Sequence, residues 1–285
     1  MEIILGTAQF GLDYGITNVS GLVKPRTVKS ILRFAEANGI TKLDTAQAYG
    51  RSEILLQSFQ NFKIMTKLSV NGIQKSFDYE EAIKQSLEKS LINLGRSTIY
   101  CVMIHDAEVI SIQQIVKTVK VLELFKKEGI IKKIGVSLYN PNKLKQLLNA
   151  CKLDVAQVPV NIFDKRFCSP EIKKIVLEHN IKLYARSIFL QGTLLASETP
   201  KQLVKWDSAF KHFRDFCLEN RVSQLKCCLA FARSLNFVTG IVVGITAVSE
   251  LKEILSEFGS PHPNLDFKHL TVKDKYLIDP SKWLS

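Results

Sequence analysis

Short apolar runs alternate with longer stretches of helical periodicity from one end of the chain to the other. Eight runs have strand length: residues 2–7 (EIILGT), 42–46 (KLDTA), 63–69 (KIMTKLS), 99–105 (IYCVMIH), 132–138 (KKIGVSL), 155–161 (VAQVPVN), 181–187 (IKLYARS) and 237–245 (FVTGIVVGI). Apolar positions at helical spacing fill 26–38, 52–59, 79–94, 112–128, 141–150, 169–180, 223–235 and 247–258. Near-continuous apolar strands alternating with helices predict parallel βαβ units, because such strands are covered on both faces. The boundary residues agree: Gly39 and Gly129 follow their helical stretches, and Pro141 and Pro170 stand near first turns. Eight strand-helix pairs in 285 residues predict an α/β fold, a (β/α)8 barrel, with an open sheet as the alternative.

Two segments depart from strict alternation. Residues 190–219 form a long connection with a helical pattern of its own (LVKWDSAFKHFRDFCLEN), and the tail 259–285 mixes Pro with aromatics. Both are expected to shape a pocket rim on one domain spanning 1–285, since no internal repeat or low-complexity linker divides the chain.

Composition narrows the class. With 46% apolar and 23% charged residues the chain reads as globular rather than disordered. No apolar run reaches the ~18–20 residues of a membrane span, and the N-terminus has no signal-peptide pattern, so a cytoplasmic protein is expected. The six cysteines show no CxxC spacing and are read as reduced thiols, with no metal site. The net charge of +12 is spread as single lysines and KK pairs rather than as a basic run with aromatic platforms. That pattern excludes nucleic acid and favours a solvated surface or a phosphate-bearing small-molecule ligand.

In a (β/α)8 barrel all loops that follow strands emerge at one face, so an ionisable residue at a strand's C-terminal end is a site candidate. Asp44, Lys67 and His105 hold that place on the second, third and fourth strands, and Tyr49 lies in the loop after the second. Singly each has a structural reading: a turn cap, its ion-pair partner, a buried imidazole, a rim aromatic. Together they make chemical sense as a proton donor with tuning groups. A free tyrosine has a pKa near ~10 and keeps its proton at neutral pH, while a neighbouring ammonium eases that proton's departure. Asp44 would hold Lys67 and offset its desolvation, and His105 would hydrogen-bond the oxygen being protonated.

The segments LDTAQAYGRSE, KIMTKLS and VMIHDAE, with LGTAQFG, LGRSTIYCVMIH, KKEGIIKKIGVSLYN and AQVPVN around them, resemble the aldo-keto reductase family over about residues 5–258. The resemblance implies NAD(P)H-dependent reduction of an aldehyde or ketone to an alcohol, with Asp44, Tyr49, Lys67 and His105 as the catalytic set. A non-catalytic nucleotide-binding accessory or sensing subunit on the same barrel is the alternative, and the intact set of four favours the enzyme.

The same resemblance implies cofactor contacts from Ser137, Gln157, Arg186, Ser187, Gly244, Thr246 and Lys252. It also has departures. Leu138 stands where the family usually has Asn, with Asn140 or Asn161 as substitutes; Arg186 stands where a tyrosine commonly stacks on the nicotinamide, and is expected to favour the reduced cofactor. Glu250 occupies the place of a 2'-phosphate-binding basic residue, with Lys252 nearby. Family tendency and net charge favour NADP(H) over NAD(H). The variants ARSIFLQG and GVSLYNP resemble a bacterial branch associated with polysaccharide or nucleotide-sugar pathways. That implies a small carbonyl substrate of sugar type, acidic or phosphorylated, taken by a monomer or weak homo-oligomer. Phe10, Tyr14, Phe189 and Trp206 are candidates for the pocket wall.

Overall fold

Each apolar run of strand length becomes one stave of a closed parallel barrel. The computed structural model describes residues 1–71, 73 and 78–283. The strands are β1 (Glu2–Gly6), β2 (Lys42–Asp44), β3 (Lys63–Leu68), β4 (Ile99–Ile104), β5 (Ile131–Ser137), β6 (Val155–Pro159), β7 (Lys182–Arg186) and β8 (Gly240–Gly244). They pair in sequence order, and β1 closes on β8 from Glu2↔Gly240 to Gly6↔Gly244. The closed barrel, rather than an open sheet, is the observed fold.

Alternation along each strand divides two cores. Ile4, Met65, Cys101, Met103, Val155 and Tyr184 fill the barrel interior. Their neighbours, among them Leu5, Leu43, Ile64, Val102, Val136 and Leu183, face outward against the helices and belong to the larger apolar cluster. Each buried side chain of this kind contributes about 1.5–3 kcal/mol. At the N-terminal end of the strands the interior is closed by the Lys42–Glu2 ion pair, and the Tyr184 hydroxyl donates to Glu2 Oε1 at 3.1 Å.

The helices follow the predicted stretches: Pro25–Ala37, Tyr79–Leu94, Ile112–Lys127, Pro141–Ala150, Pro170–Glu178, Gln224–Ser234 and Val248–Gly259. Gly39 and Gly129 adopt φ of +78° and +77°, and Pro141 and Pro170 open their helices. The stretch 52–59 differs: only Ser52–Leu55 is helical. Three-residue turns from Leu56 N to Glu53 O and from Gln57 N to Ile54 O tighten its end, and the chain returns to β3 with Leu56 buried.

The two irregular segments divide their roles. After β7 the chain forms turns of 3₁₀ type at Thr193–Leu195 and Lys201–Trp206, then the helix Asp207–Glu219. Residues 189–198 of this connection reach the mouth of the barrel, whereas its helix packs sideways: Phe210 and Phe213 lie edge-on to Phe163. The described tail is held there too, with Phe267 against Phe216 and Phe231, and Trp206 Nε1 bonded to Asp274 Oδ2 at 2.9 Å. The tail, expected at the rim, packs its aromatics Phe267 and Trp283 laterally, and none of its described residues lines the cavity at the barrel mouth. All six cysteines are free, and no helix among the described residues is long and apolar enough to cross a membrane.

Candidate active site

The C-terminal ends of the strands open into a cavity of about 930 Å³. Asp44, Tyr49, Lys67 and His105 converge at its floor, as the topology requires of residues at the ends of adjacent staves. Lys67, 1% exposed, places Nζ 2.6 Å from Asp44 Oδ2 and 3.1 Å from the Thr45 carbonyl oxygen, which accepts from it. The other carboxylate oxygen, Asp44 Oδ1, accepts from Gln157 Nε2 at 2.7 Å. The ammonium also lies 5.1 Å from the centre of the Tyr49 ring.

Charge states follow from these contacts. Burial, the largest influence on Lys67, works against its charge, but Asp44 and Tyr49 outweigh it and raise the ammonium's pKa above the ordinary lysine value. His105 goes the other way. Burial first, then the charges of Lys67 and Arg186, lower it to about 4, so it is neutral at physiological pH. Its ring meets Tyr49 edge to face, with centroids 5.8 Å apart.

Tyr49 is positioned by two glycines. The loop after β2 and the turn after β1 touch backbone to backbone: a Cβ on Gly11 would lie 1.7 Å from the Tyr49 carbonyl oxygen, and one on Gly50 2.3 Å from that of Gly11. Gly50 also takes φ of +53°. Hydroxyls lock the junction, with Ser52 Oγ 3.0 Å from the Thr7 carbonyl oxygen and Thr7 Oγ1 donating to the Asp44 carbonyl oxygen at 3.0 Å. Farther out, buried Glu53 accepts from Thr66, Ser90 and Asn93. This scaffold gives the loop a fixed course without using a charged group of the floor.

Of the residues expected at a cofactor, Ser137, Gln157, Arg186, Ser187, Gly244 and Thr246 all line the cavity. Lys252 is exposed on its helix outside the wall, and Glu250 and Glu253 line that end instead. Asn140 caps the following helix through Asn142 N, and Asn161 is buried in a turn with its Nδ2 donating to the Ser187 carbonyl oxygen at 3.1 Å; neither is among the residues lining the cavity. Tyr14 and Phe189 line the wall, whereas Phe10 is core and Trp206 is bonded to the tail.

Arg186 stacks its guanidinium over the Tyr139 ring at 4.1 Å, so one planar face expected for a nicotinamide is already covered. Among the described residues no carboxylate is within ion-pair reach of it. Tyr14, 40% exposed, stands nearby, and partial desolvation of its hydroxyl raises its phenol above the ordinary tyrosine value. The wall there is braced by an unusual backbone. Ser187, Leu190, Gln191 and Gly192 all have φ between +47° and +85°, and Gln191 straps the first loop, accepting at Oε1 from Ile16 N at 3.2 Å and at its carbonyl from Thr17 Oγ1 at 2.9 Å.

Three contributors were not expected from sequence: Gly11, Tyr139 and Gln9. The paired glycines of LGTAQFG and QAYG were the available signal for the first, and the aromatic beside Leu138 for the second. Gln9 has no local signal; its amide fills the space over Gly244, 2.7 Å from where a Cβ would sit.

A scan against family models matches residues 2–274 to the Aldo/keto reductase family. The chain belongs to the aldo/keto reductase family. It is 22% identical over 277 residues to D-arabinose 1-dehydrogenase of Saccharomyces cerevisiae, covering 88% of this chain and 82% of that one. Among solved structures it resembles the aldo-keto reductase AKR11C1 of Bacillus halodurans in its holo form, with a TM-score of 0.78 and 18% identity over 94% of this chain and 90% of that one. Another is the glycerol dehydrogenase AKR11B4 of Gluconobacter oxydans, with a TM-score of 0.70 and 20% identity over 94% and 89%. These likenesses agree with the closed barrel, and family membership makes the chain an oxidoreductase of aldo-keto reductase type that uses a nicotinamide cofactor.

The residues present fit that cofactor. Gln157 Oε1 is buried at the cavity wall without a hydrogen-bond partner among the described residues, because its amide nitrogen is committed to Asp44. An unpaired acceptor there suits an amide N–H such as that of a carboxamide, and Ser137 lines the wall beside it. Among the described residues no cluster of His, Cys, Asp or Glu is arranged to hold a metal ion.

Proposed function

We propose that this aldo-keto reductase reduces a small aldehyde or ketone of sugar type to an alcohol, with Tyr49 giving the proton to the carbonyl oxygen. The bound nicotinamide would supply the hydride. The observation that carries the reading is the buried Asp44–Lys67 pair directed at Tyr49 on the floor of a deep cavity. Lys67 favours the developing phenolate, so loss of the hydroxyl proton costs less in the transition state than in water. Asp44 keeps the ammonium charged and Gln157 keeps Asp44 oriented. His105, neutral, is fit to hydrogen-bond the carbonyl oxygen without adding a second cation beside Lys67.

Arg186 supports an anionic substrate. It is a cation without a carboxylate partner among the described residues, stacked so that its edge still faces outward with only a long bond, 3.4 Å, from Nη1 to Ser187 Oγ, and with the Tyr14 phenol near it. A carboxylate or phosphate on a keto-sugar or sugar aldehyde would meet both. Family tendency and the +12 charge favour NADP(H), whereas the carboxylates of Glu250 and Glu253 at one end of the cavity oppose it.

The test is oxidation of NADH and NADPH with a panel of aldehydes, ketones and keto-sugars, neutral and acidic. Turnover should be highest for acidic sugars, and Arg186→Met should raise KM for these at least tenfold while leaving neutral substrates near their wild-type values. Tight nucleotide binding without turnover on the whole panel would favour an accessory or sensing role instead.

A further inference from the structure

The cavity is electrically lopsided. Its only lining cations among the described residues, Lys67 and Arg186, stand at the floor and the β7 side, while Glu250 and Glu253 line the end beyond β8 with Leu225 and Ile254. The start of the helix Val248–Gly259 lies at that end, and its loop donors are already committed: Thr246 N and Ala247 N both donate to Glu250 Oε2, at 2.6 and 3.3 Å, and Thr246 Oγ1 donates to Glu250 Oε1 at 2.9 Å. A helix N-terminus otherwise offers such N–H groups to an incoming anion. Here the chain's own carboxylate has taken them, and Lys252 is exposed and is not among the residues that line the wall.

We propose that Glu250, with Glu253 beside it, makes this end of the cavity select NAD(H) over NADP(H). The inference rests on the reading that the cavity holds a nicotinamide dinucleotide with its carboxamide at Gln157, which sends the adenosine half toward the opposite end. Glu250 Oε1 accepts one hydrogen bond and retains a lone pair for a ribose 2'-hydroxyl donor. A 2'-phosphate brings no donor at neutral pH and adds about −2 charge against two carboxylates, with no cation in that part of the wall to offset it. The net charge of +12 does not help, because charges elsewhere on the surface are screened beyond about 8–10 Å at physiological ionic strength.

The experiment measures binding directly, by titrating the ligand-free protein with NADH and NADPH and following nucleotide and protein fluorescence, with 5'-AMP and adenosine 2',5'-bisphosphate as competitors that report on the adenosine half alone. NADH is expected to bind at least tenfold more tightly than NADPH, and 5'-AMP to displace it better than the bisphosphate. Glu250→Gln, which keeps one acceptor oxygen for the loop N–H groups but removes the charge, should narrow the ratio severalfold, and the exposed Glu253→Gln should narrow it less. Equal or tighter binding of NADPH by the wild type overturns the proposal, as does a ratio unchanged in both variants. Binding of neither dinucleotide removes it together with the reductase reading. NADH-selective binding without turnover of any carbonyl leaves the selection standing and removes only the reductase reading.

Discussion

The second strand carries a lysine at one end of the barrel and an aspartate at the other, and each forms an ion pair with a group from a neighbouring strand. Lys42 meets Glu2 below the barrel core; Asp44 meets Lys67 above it. The chemistry of the two pairs is the same, yet only the upper one is surrounded by what a reaction needs. Its side chains are 1% and 5% exposed, against 10% and 32% below, and both Asp44 oxygens are used. A tyrosine, a neutral imidazole and an open cavity adjoin it, whereas the lower pair meets the Tyr184 hydroxyl and the face of the Tyr100 ring and seals the floor of the core. A buried ion pair is thus weak evidence of function by itself; what stands on its open side decides.

The comparison breaks most sharply at Tyr49. Tyr49→Phe is expected to lower kcat by about 10²–10⁴-fold with nucleotide affinity and thermal stability nearly unchanged, as steady-state kinetics and unfolding scans would register. No variant of the lower pair should do this; full activity in Tyr49→Phe would remove the proton-donor role. Gly11→Ala should come next. The added Cβ forces the Tyr49 loop outward, and a displacement of about 1 Å costs roughly 10²-fold in kcat.

Charge removal sharpens the contrast on the stability side. Lys67→Met strands Asp44 in the interior and should cost about 3–5 kcal/mol in denaturant unfolding, whereas Lys42→Met leaves Glu2 able to reach water and should cost about 1 kcal/mol or less. Comparable losses would mean that burial does not distinguish the two ends.

The smallest effect is in pH. His105 binds its proton at about 4 in the fold and near the ordinary 6.5 when unfolded, so between those values the unfolded chain holds the extra proton. Its contribution to stability is therefore complete above about 6.5 and lost as the pH falls toward 4. His105→Gln should flatten that limb, and NMR titration of the imidazole should show Arg186→Met moving the midpoint upward.

Much of this architecture is written locally. Near-continuous apolar runs of strand length mark strands covered on both faces, and Asp44, Lys67 and His105 could be assigned to one end because a barrel gives all strand ends the same destination. The stretch 52–59 misled because its helical spacing extends past the point where burying Leu56 turns the chain. The pairing of Arg186 with Tyr139 and the Gln191 strap to the first loop join residues 47 to 175 positions apart, and nothing in either segment alone encodes the partner. Charge is legible in sequence only as a whole-chain sum, which carries no information about which residues face a cavity; Glu250 lines this one and Lys252 does not.

The meeting of Gly11 with Tyr49 and Gly50 also constrains how this protein can change. The first loop furnishes cavity wall on one side, through Leu12, Tyr14 and Thr17, and the rest against which Tyr49 is set on the other. A side chain of this loop that faces the cavity, such as Leu12 or Tyr14, can change without entering the contact that sets Tyr49, whereas one added at Gly11 cannot. Gly11 marks the border between the part of the loop that is free to diversify and the part that the chemistry holds still.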